Sequence, residues 1–354
     1  MSDVLPRRGM IARWDPLTIG IDIGGTKVLG GVVDSWGRIL DRQRRLTPGQ
    51  SVSEVENTIV EMVLSLAADH DIAAVGIGAA GFVDASRSSV LFSPHLAWRD
   101  TPLRDALRGR IRLPIVVDND ANAAALAECY FGAGRGHRLV LCITLGTGIG
   151  GALVIDKRVY RGANGMAGEF GHMQVVPGGH RCSCGNRGCW EQYASGNALV
   201  REARELVVGN SPVAHRLREI VRGNPDELTG PLVTQAARDG DQLSVELLAD
   251  IGAWLGTGLA GMTAAFDPDC IVVGGGVSEA GELLLAPTRA AFSQTLTGRG
   301  HRVEPTIVAA ALGADAGFVG AAQMARSAAR RSRRVRGRRR RRFLATNARG
   351  SLLE

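Results

Sequence analysis

A cluster of metal-binding side chains is the part of this 354-residue chain best suited to chemistry. Cys182, Cys184 and Cys189 are three of its six cysteines and fall within a span of eight residues, and His172 lies ten residues upstream. Three thiolates and one imidazole complete a tetrahedral zinc shell. The sequence therefore predicts one zinc ion per chain, with His180 as an alternative fourth ligand and free thiols as the competing interpretation.

Two glutamates bracket this cluster. Glu169 precedes His172 by three residues, and Glu191 follows Cys189 by two. A zinc ion would hold the loop and so fix the direction of both carboxylates. Because carboxylates accept hydrogen bonds from adjacent sugar hydroxyls, we predict that the pair binds a sugar. The alternatives are that both are surface charges, or that the zinc has no link to a site.

Three glycine-rich turns follow predicted strands, and such turns let backbone N–H groups approach phosphate oxygens. Asp22 ends the first of these strands, where it can hold Mg²⁺ directly or through water. An ordinary hairpin turn is the alternative, since the spacing is neither that of a P-loop nor that of a dinucleotide fingerprint. The residues predicted to contact nucleotide are Gly24, Gly25, Thr26, Lys27, Gly146, Thr147, Gly148, Gly274, Gly275 and Gly276.

A D-N-D turn joins a predicted strand to a predicted helix at residues 118–120. Open α/β sheets bind their ligands at the carboxyl ends of strands, so Asp120 is a candidate general base there. Asn119 beside it can donate and accept hydrogen bonds to a hydroxyl. The alternative is that the carboxylate only caps the helix.

Local patterns predict one hairpin over residues 17–33 and a second over residues 139–155. Asp22 to Asp34 aligns with Thr144 to Asp156 without gaps, although few positions are identical. Two halves that each open with strand, glycine turn and strand would place two turns across one cleft. Phosphate turns, hydroxyl-binding acids and a candidate base together indicate phosphoryl transfer to a sugar alcohol.

Composition and charge separate the body of the chain from its C-terminal end. Hydrophobic residues make up 45%, and the length is enough for two domains. The formal net charge is +7, yet residues 326–354 alone hold twelve arginines and one glutamate. We predict that residues 326–354 form a disordered, solvated tail, with nonspecific polyanion binding by the arginine run at 326–342 as the alternative.

The cysteines and the hydropathy of the chain indicate its cellular compartment. The sequence shows neither a signal-peptide pattern nor an apolar run near the ~20 residues of a membrane span. Cysteines without an obvious disulfide framework are typical of a reducing environment. These features predict a cytoplasmic protein with no membrane partner.

The motifs occur in an order that resembles the ROK family (named for repressor, open reading frame, kinase), most closely its actinobacterial-type ATP-dependent glucokinases. The resemblance spans roughly residues 17–325. Its most specific part is G-E-F-G-H…C-x-C-G-x-x-G-C-x-E followed by Q-Y-A-S-G, and D-I-G-G-T-K, D-N-D-A-N-A and V-V-G-G-G-V support it. The resemblance implies a two-domain actin-like (ribonuclease H-like) α/β fold with a catalytic cleft between the domains.

The resemblance also implies domain limits. These are an N-terminal extension at 1–16, a small α/β domain at 17–121 plus 310–325, and a large domain at 122–309 that carries the zinc loop. The segment 326–354 lies outside the family pattern.

By the same resemblance, the activity is transfer of the ATP γ-phosphoryl group to the 6-hydroxyl of glucose. Asp120 would be the base, and Asn119, Glu169, His172 and Glu191 would hold the other hydroxyls, with His172 also ligating zinc. Mg²⁺ would accompany ATP, and the protein would be a homodimer or homotetramer. The matches at residues 81–84 and 98–100 favour glucose.

Several alternatives stay open at this point. The sugar can be another hexose or an N-acetylhexosamine, and the donor can be polyphosphate, because a few loop residues decide such specificity. A sugar-responsive repressor is a further alternative, although only about 16 residues precede the first predicted strand, too few for a helix-turn-helix domain. His95 stands where the resemblance leads us to expect an asparagine, which places that sugar contact in doubt.

Overall fold

The computed structural model describes residues 15–48, 51–93 and 96–350, with side chains through residue 333. Most of the predicted extension 1–16 therefore lies outside the described residues, and so does His95. In chain order the strands are β1 (Leu17–Ile23), β2 (Lys27–Val33), β3 (Ile39–Leu46), β4 (Ile72–Ala79), β5 (Phe82–Val83), β6 (Val90–Phe92), β7 (Arg99–Thr101), β8 (Ile115–Asn119), β9 (Leu139–Leu145), β10 (Ile149–Ile155), β11 (Arg158–Tyr160), β12 (Cys270–Gly274) and β13 (Thr306–Ala309).

The α-helices are interspersed with these strands. They are α1 (Val52–Ala67), α2 (Leu103–Arg108), α3 (Asp120–Phe131), α4 (Gly196–Val208), α5 (His215–Ile220), α6 (Gly230–Arg238), α7 (Gln242–Phe266), α8 (Glu282–Thr295) and α9 (Ala316–Gly350).

Two five-stranded sheets repeat one pattern. The first has the order β3-β2-β1-β4-β8 and the second the order β11-β10-β9-β12-β13. In each, an antiparallel hairpin is followed by two parallel strands, so β1–β2 corresponds to β9–β10. The strands β5, β6 and β7 form a small third sheet. The mixed α/β architecture with two similar halves is the one that the sequence predicts.

Each large sheet has its own apolar core. Ile19, Ile21 and Ile59 are fully buried beside the first sheet, and Leu141 and Leu255 are fully buried beside the second. Burial of one such side chain contributes about 1.5–3 kcal/mol. Among the described residues, α7 is also long and apolar enough to cross a membrane, but 61% of that stretch is buried inside the fold. We therefore interpret α7 as a helix of the protein core.

Helices α3 and α9 cross closely between the sheets. A Cβ atom at Gly320 on α9 would lie 1.7 Å from the carbonyl oxygen of Ala123 on α3, so only glycine fits there. Helix α9 continues onto the first sheet, where Thr18 in β1 donates a hydrogen bond to the carbonyl of Ala322. The crossing brings the start of α3 and the start of α9 to the same cleft.

Two predicted domain limits fall within helices. The boundary between residues 121 and 122 lies inside α3, which continues to Phe131. The predicted tail begins at residue 326 inside α9, which spans Ala316–Gly350. Arginine favours helix formation, and a prediction made from net charge alone does not take this preference into account. Residues 351–354 lie outside the described residues.

Arg326 shows why the tail cannot begin there. Its side chain is fully buried and donates hydrogen bonds to the carbonyls of Pro16 and Val33, the hydroxyl of Thr18 and the amide oxygen of Gln323. Burial lowers the pKa of this guanidinium to about 10. Arg326 therefore anchors α9 to the start of β1 and the end of β2 in the first sheet.

Replacing Arg326 by alanine (Arg326→Ala) should lower the free energy of unfolding by about 2–4 kcal/mol, because buried acceptors lose their donor. Urea denaturation measures the change. Arg108→Ala, whose side chain is 58% exposed, is the control and should change it by less than about 0.5 kcal/mol. Equal, small effects of the two substitutions would contradict the anchoring role.

Candidate active site and metal centre

Asn119 and Asp120 of the D-N-D turn have different roles at the start of α3. Asn119 is the N-cap, and its Oδ1 accepts a hydrogen bond from the backbone N–H of Asn122 at 3.0 Å. Asp120 is the first helical residue, and its Oδ1 accepts hydrogen bonds from the Ala121 N–H at 2.9 Å and from Asn119 Nδ2 at 3.0 Å. Capping is thus done by Asn119, and it does not account for the carboxylate of Asp120.

Asp118, the first residue of this turn, is buried and forms ion pairs with two arginines. Its carboxylate accepts hydrogen bonds from Arg161 Nε at 3.0 Å and Nη2 at 2.5 Å, and Arg87 Nε lies 2.9 Å away. Only 2% of Asp118 is exposed. Arg161 follows β11 of the second sheet, so this ion pair joins the two sheets directly behind Asp120. A buried carboxylate needs such compensation.

A cavity of about 420 Å³ lies between the two sheets. Its acidic and basic lining residues are Asp22, Lys27, Asp120, Glu128 and Glu279, and Ser278 also lines it. The turn after β12 contributes Gly274, Gly275 and Gly276. Residues from both predicted halves therefore face one space.

Asp22 has an unusual electrostatic position in this cavity. Burial and the nearby charge of Asp120 raise the pKa of Asp22 to about 7, and Lys27 opposes this shift. The carboxylate also lies against the first turn of α9, where a Cβ at Gly317 would approach it closely. Perturbed carboxyl groups in a cleft mark functional sites, and a cation or a helix N-terminus stabilises their charged form.

Two further cavities adjoin the first. One of about 490 Å³ is lined by Gly146, Thr147 and Gly276, together with residues of α4 and α6. One of about 190 Å³ is lined by Thr147, Gly148, His172 and Glu191, with Phe82 and Phe92 as an apolar wall. Shared lining residues make the three spaces neighbours along one cleft, with the candidate metal cluster at one end.

The four predicted metal ligands meet in space. The ligand atoms of His172, Cys182, Cys184 and Cys189 all lie within 4.8 Å of one another. Cys184 Sγ lies 3.7 Å from Cys189 Sγ, and Cys182 Sγ lies 3.6 Å from His172 Nδ1. A tetrahedral zinc ion with Zn–S bonds of ~2.3 Å would place its sulfur ligands ~3.8 Å apart. Donor types and spacing both fit that ion.

Short-range backbone pairing holds this loop in shape. The Cys182 N–H donates to the Asn186 carbonyl, and the Gly188 N–H donates to the His180 carbonyl. His180 itself is exposed, and its ring packs at a tilt against Tyr193 with 5.3 Å between centroids. The structure therefore gathers His172, and not His180, with the three cysteines.

Glu191 lies beside the cysteine cluster. Glu169 lies near the carboxylates of the cleft. Glu191 Oε1 lies 3.1 Å from Cys182 Sγ and 3.7 Å from His172 Nδ1. Burial, followed by the charges of Asp120 and Glu191, raises the pKa of Glu169 to about 7. These mutual effects indicate three carboxylates in one neighbourhood.

Some predicted site residues are less enclosed. Gly24, Gly25 and Thr26 form the turn between β1 and β2, where Gly25 and Thr26 are exposed, and these three do not line the cavities described above. Sequence reasoning did not identify Arg161 or the aromatic wall. A buried aspartate after V-V was the signal that a cationic partner must exist, but nothing in the sequence named Arg161.

Comparisons with known proteins agree with this arrangement. The chain is 46% identical over 310 residues to a glucokinase from Streptomyces coelicolor, covering 88% of this chain and 98% of that protein. It is similar to the crystal structure of a ROK family glucokinase from Streptomyces griseus in complex with glucose and AMPPNP, with a TM-score of 0.82, 48% identity, and coverage of 88% and 99%.

A more distant structure shares the fold. This is an inorganic polyphosphate/ATP-glucomannokinase from an Arthrobacter strain, with a TM-score of 0.57, 29% identity, and coverage of 87% of this chain and 98% of that one. The ROK family profile matches residues 18–328, which is most of the sequence. From the cleft, the motifs and these likenesses together, we conclude that the chain belongs to the ROK family.

Proposed function

We propose that this protein is an ATP-dependent glucokinase, transferring the γ-phosphoryl group of ATP to the 6-hydroxyl of glucose to give glucose 6-phosphate and ADP. The observation that carries the proposal is the position of Asp120, which lines the cleft cavity with Lys27 while Asn119 caps the helix. The Streptomyces griseus relative, crystallised with glucose and AMPPNP, supports the choice of both substrates.

Asp120 acts as the general base in this proposal. Its carboxylate accepts the proton of the 6-hydroxyl as that oxygen attacks the γ-phosphorus. Hydrogen bonds from Asn119 Nδ2 and the Ala121 N–H fix the direction of one carboxylate oxygen. Phosphoryl transfer depends mainly on alignment and charge neutralisation, so a fixed carboxylate is the protein group that the chemistry most needs.

Asn119, Glu169, His172 and Glu191 hold the remaining sugar hydroxyls. His172 Nδ1 faces the sulfur cluster, so ligation through Nδ1 leaves Nε2 available for a hydroxyl. The aromatic pair Phe82 and Phe92, with ring centroids 6.0 Å apart, gives this end of the cleft an apolar wall.

The nucleotide occupies the two larger cavities. We expect Lys27 and the turn at 146–148 to contact the phosphates and the turn at 274–276 to border the adenosine. The turn at 24–26 lies outside the cavity linings and would reach the phosphates only when the cleft closes. Mg²⁺ bound with ATP neutralises charge on the phosphoryl oxygens, and Asp22 would hold it. The residues left in the cleft then align donor and acceptor oxygens and exclude water, which is a competing acceptor.

Zinc serves the loop and not the chemistry. Bound by His172 and the three cysteines, it would stiffen the loop and so orient His172 and Glu191 toward the sugar. Exposure of Cys184 agrees with a ligand that has no packing role of its own.

Three further predictions belong to this proposal. We infer a cytoplasmic location from the cysteines, which are all free in the described structure. A homodimer or homotetramer is expected and is checked by light scattering. Nonspecific binding of polyanions by the arginine run at 326–342 remains the alternative to a purely solvated surface.

A coupled assay tests the activity. The purified protein with Mg²⁺-ATP should phosphorylate glucose in preference to mannose, fructose and N-acetylglucosamine, and should use ATP in preference to polyphosphate. Asp120→Ala should lower kcat by at least ~10²-fold, because a positioned base contributes that much.

Asp71→Ala, on an exposed turn, is the matched control and should keep wild-type kcat. Preference for another sugar or donor would overturn the specificity and keep the role of Asp120. A loss below tenfold for Asp120→Ala, accompanied by reduced stability, would instead assign Asp120 to the helix terminus.

Removing one metal ligand tests the zinc centre. Cys184→Ser should release the ion and raise the glucose KM by about 10–100-fold, because loss of the metal frees His172 and Glu191. Elemental analysis measures the zinc content, and Asn186→Ala in the same loop is the control. Metal-free protein with unchanged glucose affinity would show that the centre does not serve the sugar site.

Asp22 provides a test based on pH. Its pKa is raised from 3.8 to about 7, so the folded protein holds it neutral at pH 5 and charged at pH 8, whereas the unfolded chain is charged at both. The stability given by the neutral form is therefore lost as pH rises toward and through 7. Asp22→Asn should raise Tm at pH 8 by at least about 3 °C relative to wild type, and by less at pH 5.

The same Asp22 variant should lose affinity for Mg²⁺-ATP. Asp71→Asn, which has an exposed carboxylate, should show no such pH-dependent gain in Tm. A lower Tm for Asp22→Asn at pH 8 would mean that the ionised carboxylate stabilises the protein without ligand.

A further inference from the structure

The described chain passes between the two large sheets at two places. The first connection, residues 120–138, comprises α3 and the segment that leads from it to β9, and the second, residues 310–315, runs from β13 to the start of α9. Any movement of one sheet against the other must be absorbed at these two segments or around them. Whatever holds both segments together controls the relative position of the sheets.

One buried side chain contacts both connections. The Glu128 carboxylate, on the last turn of α3, accepts hydrogen bonds from Ala133 N–H at 2.8 Å, Ala311 N–H at 3.1 Å and Leu312 N–H at 2.8 Å. Ala133 belongs to the first connection, and the other two belong to the second. Only 3% of Glu128 is exposed.

The backbone of Glu128 adds to this arrangement. Its carbonyl accepts hydrogen bonds from Gly132 N–H at 3.0 Å and Gly134 N–H at 3.1 Å, both in the first connection. A Cβ at Gly132 would lie 2.0 Å from Glu128 Oε2, so glycine leaves the space that the carboxylate occupies. The local sequence is thus built around this one side chain.

Ordinary helix termination does not explain these contacts. A side chain that ends a helix satisfies groups of its own connection, and here that is the Ala133 N–H alone. The bonds to Ala311 and Leu312 span 183 and 184 residues of sequence. Hydrogen bonds to a carboxylate are about twice as strong as those between neutral groups, so three of them make a firm joint.

We propose that Glu128 is the hinge pin of the cleft, a positioning residue that fixes α3 and α9 relative to each other. The proposal rests on the proposed kinase function for its catalytic consequence. Glu128 acts through two helix starts, since α3 begins with Asp120 and α9 begins beside Asp22. With both helices pinned, closure of the cleft returns the proposed base and the magnesium-binding carboxylate to the same geometry in each turnover.

Glu128→Gln tests the pin without changing the volume of the side chain. One acceptor oxygen becomes an NH₂ donor, which cannot accept from the backbone N–H groups it faces. Ala133 and Ala311 donate to Oε2 and Leu312 donates to Oε1, so either orientation of the new amide removes the acceptor of Ala311 or of Leu312. Hydrogen exchange of that backbone amide should accelerate by about 10–100-fold in the protein without substrates. The glucose kcat should fall by about tenfold or more while the glucose KM changes by less than about threefold.

Glu246→Gln is the matched control, because Glu246 is exposed on α7 and its hydrogen-bond partner is Gln242. It removes the same charge and should leave exchange and kcat unchanged. Gly132→Ala tests the same contacts in a second way, because its Cβ would crowd Glu128 Oε2 while the Glu128 carboxylate is kept. It should accelerate exchange of the same three amides and lower kcat in the same direction.

Two results would overturn the pin. Acceleration at Ala133 alone would leave Glu128 as a cap of its own helix. Faster exchange at Ala311 or Leu312 with kcat equal to that of Glu246→Gln would show that Glu128 stabilises the two connections without positioning the reacting groups. Absence of glucose turnover in the wild-type protein would count against the proposed function, while the exchange pattern still decides whether Glu128 joins the two connections.

Discussion

Helix α3 is the element on which the cleft depends. Its first residue is Asp120, its last turn holds Glu128, and it meets α9 where Gly320 leaves no room for a side chain. Packed helices of this kind move as rigid bodies, because interiors are too dense to deform continuously. A displacement of α3 therefore reaches the proposed base, the joint between the sheets and the start of α9 together. The Asp118–Arg161 ion pair opposes such a displacement from the side of the second sheet.

Charge in the cleft works against the stability of the protein without substrates. Asp22 and Glu169 both have a pKa raised to about 7, because each is partly removed from water and lies near another carboxylate. In the proposed function the ligands relieve this strain, since Mg²⁺ with ATP neutralises Asp22 and sugar hydroxyls donate to Glu169. Binding energy is then available for closing the cleft and aligning the reacting oxygens. The protein without substrates is therefore less stable, and the site is complete only when the sugar and Mg²⁺-ATP are bound.

Sequence patterns predicted the parts of the site that are local. The four candidate metal ligands fall within residues 172–189, and each glycine turn lies beside the strand that presents it, so short-range spacing was sufficient to group them. Contacts across the sequence could not be read in this way. Arg161 meets Asp118 from 43 residues away, and Glu128 reaches Leu312 over 184 residues. Composition also misjudged Arg326, whose burial depends on acceptors at the start of β1 and the end of β2 and not on the charge of its neighbours.

The position of the sugar relative to Asp120 is the most direct test of the whole account. A crystal structure of this protein with glucose and a non-hydrolysable ATP analogue would measure it. We expect the 6-hydroxyl oxygen within about 2.6–3.2 Å of an Asp120 carboxylate oxygen and in line with the γ-phosphorus. The zinc-side residues His172 and Glu191 should then hold other hydroxyls. A 6-hydroxyl directed at Glu169 or Glu191, with Asp120 facing only the backbone of α3, would contradict the account.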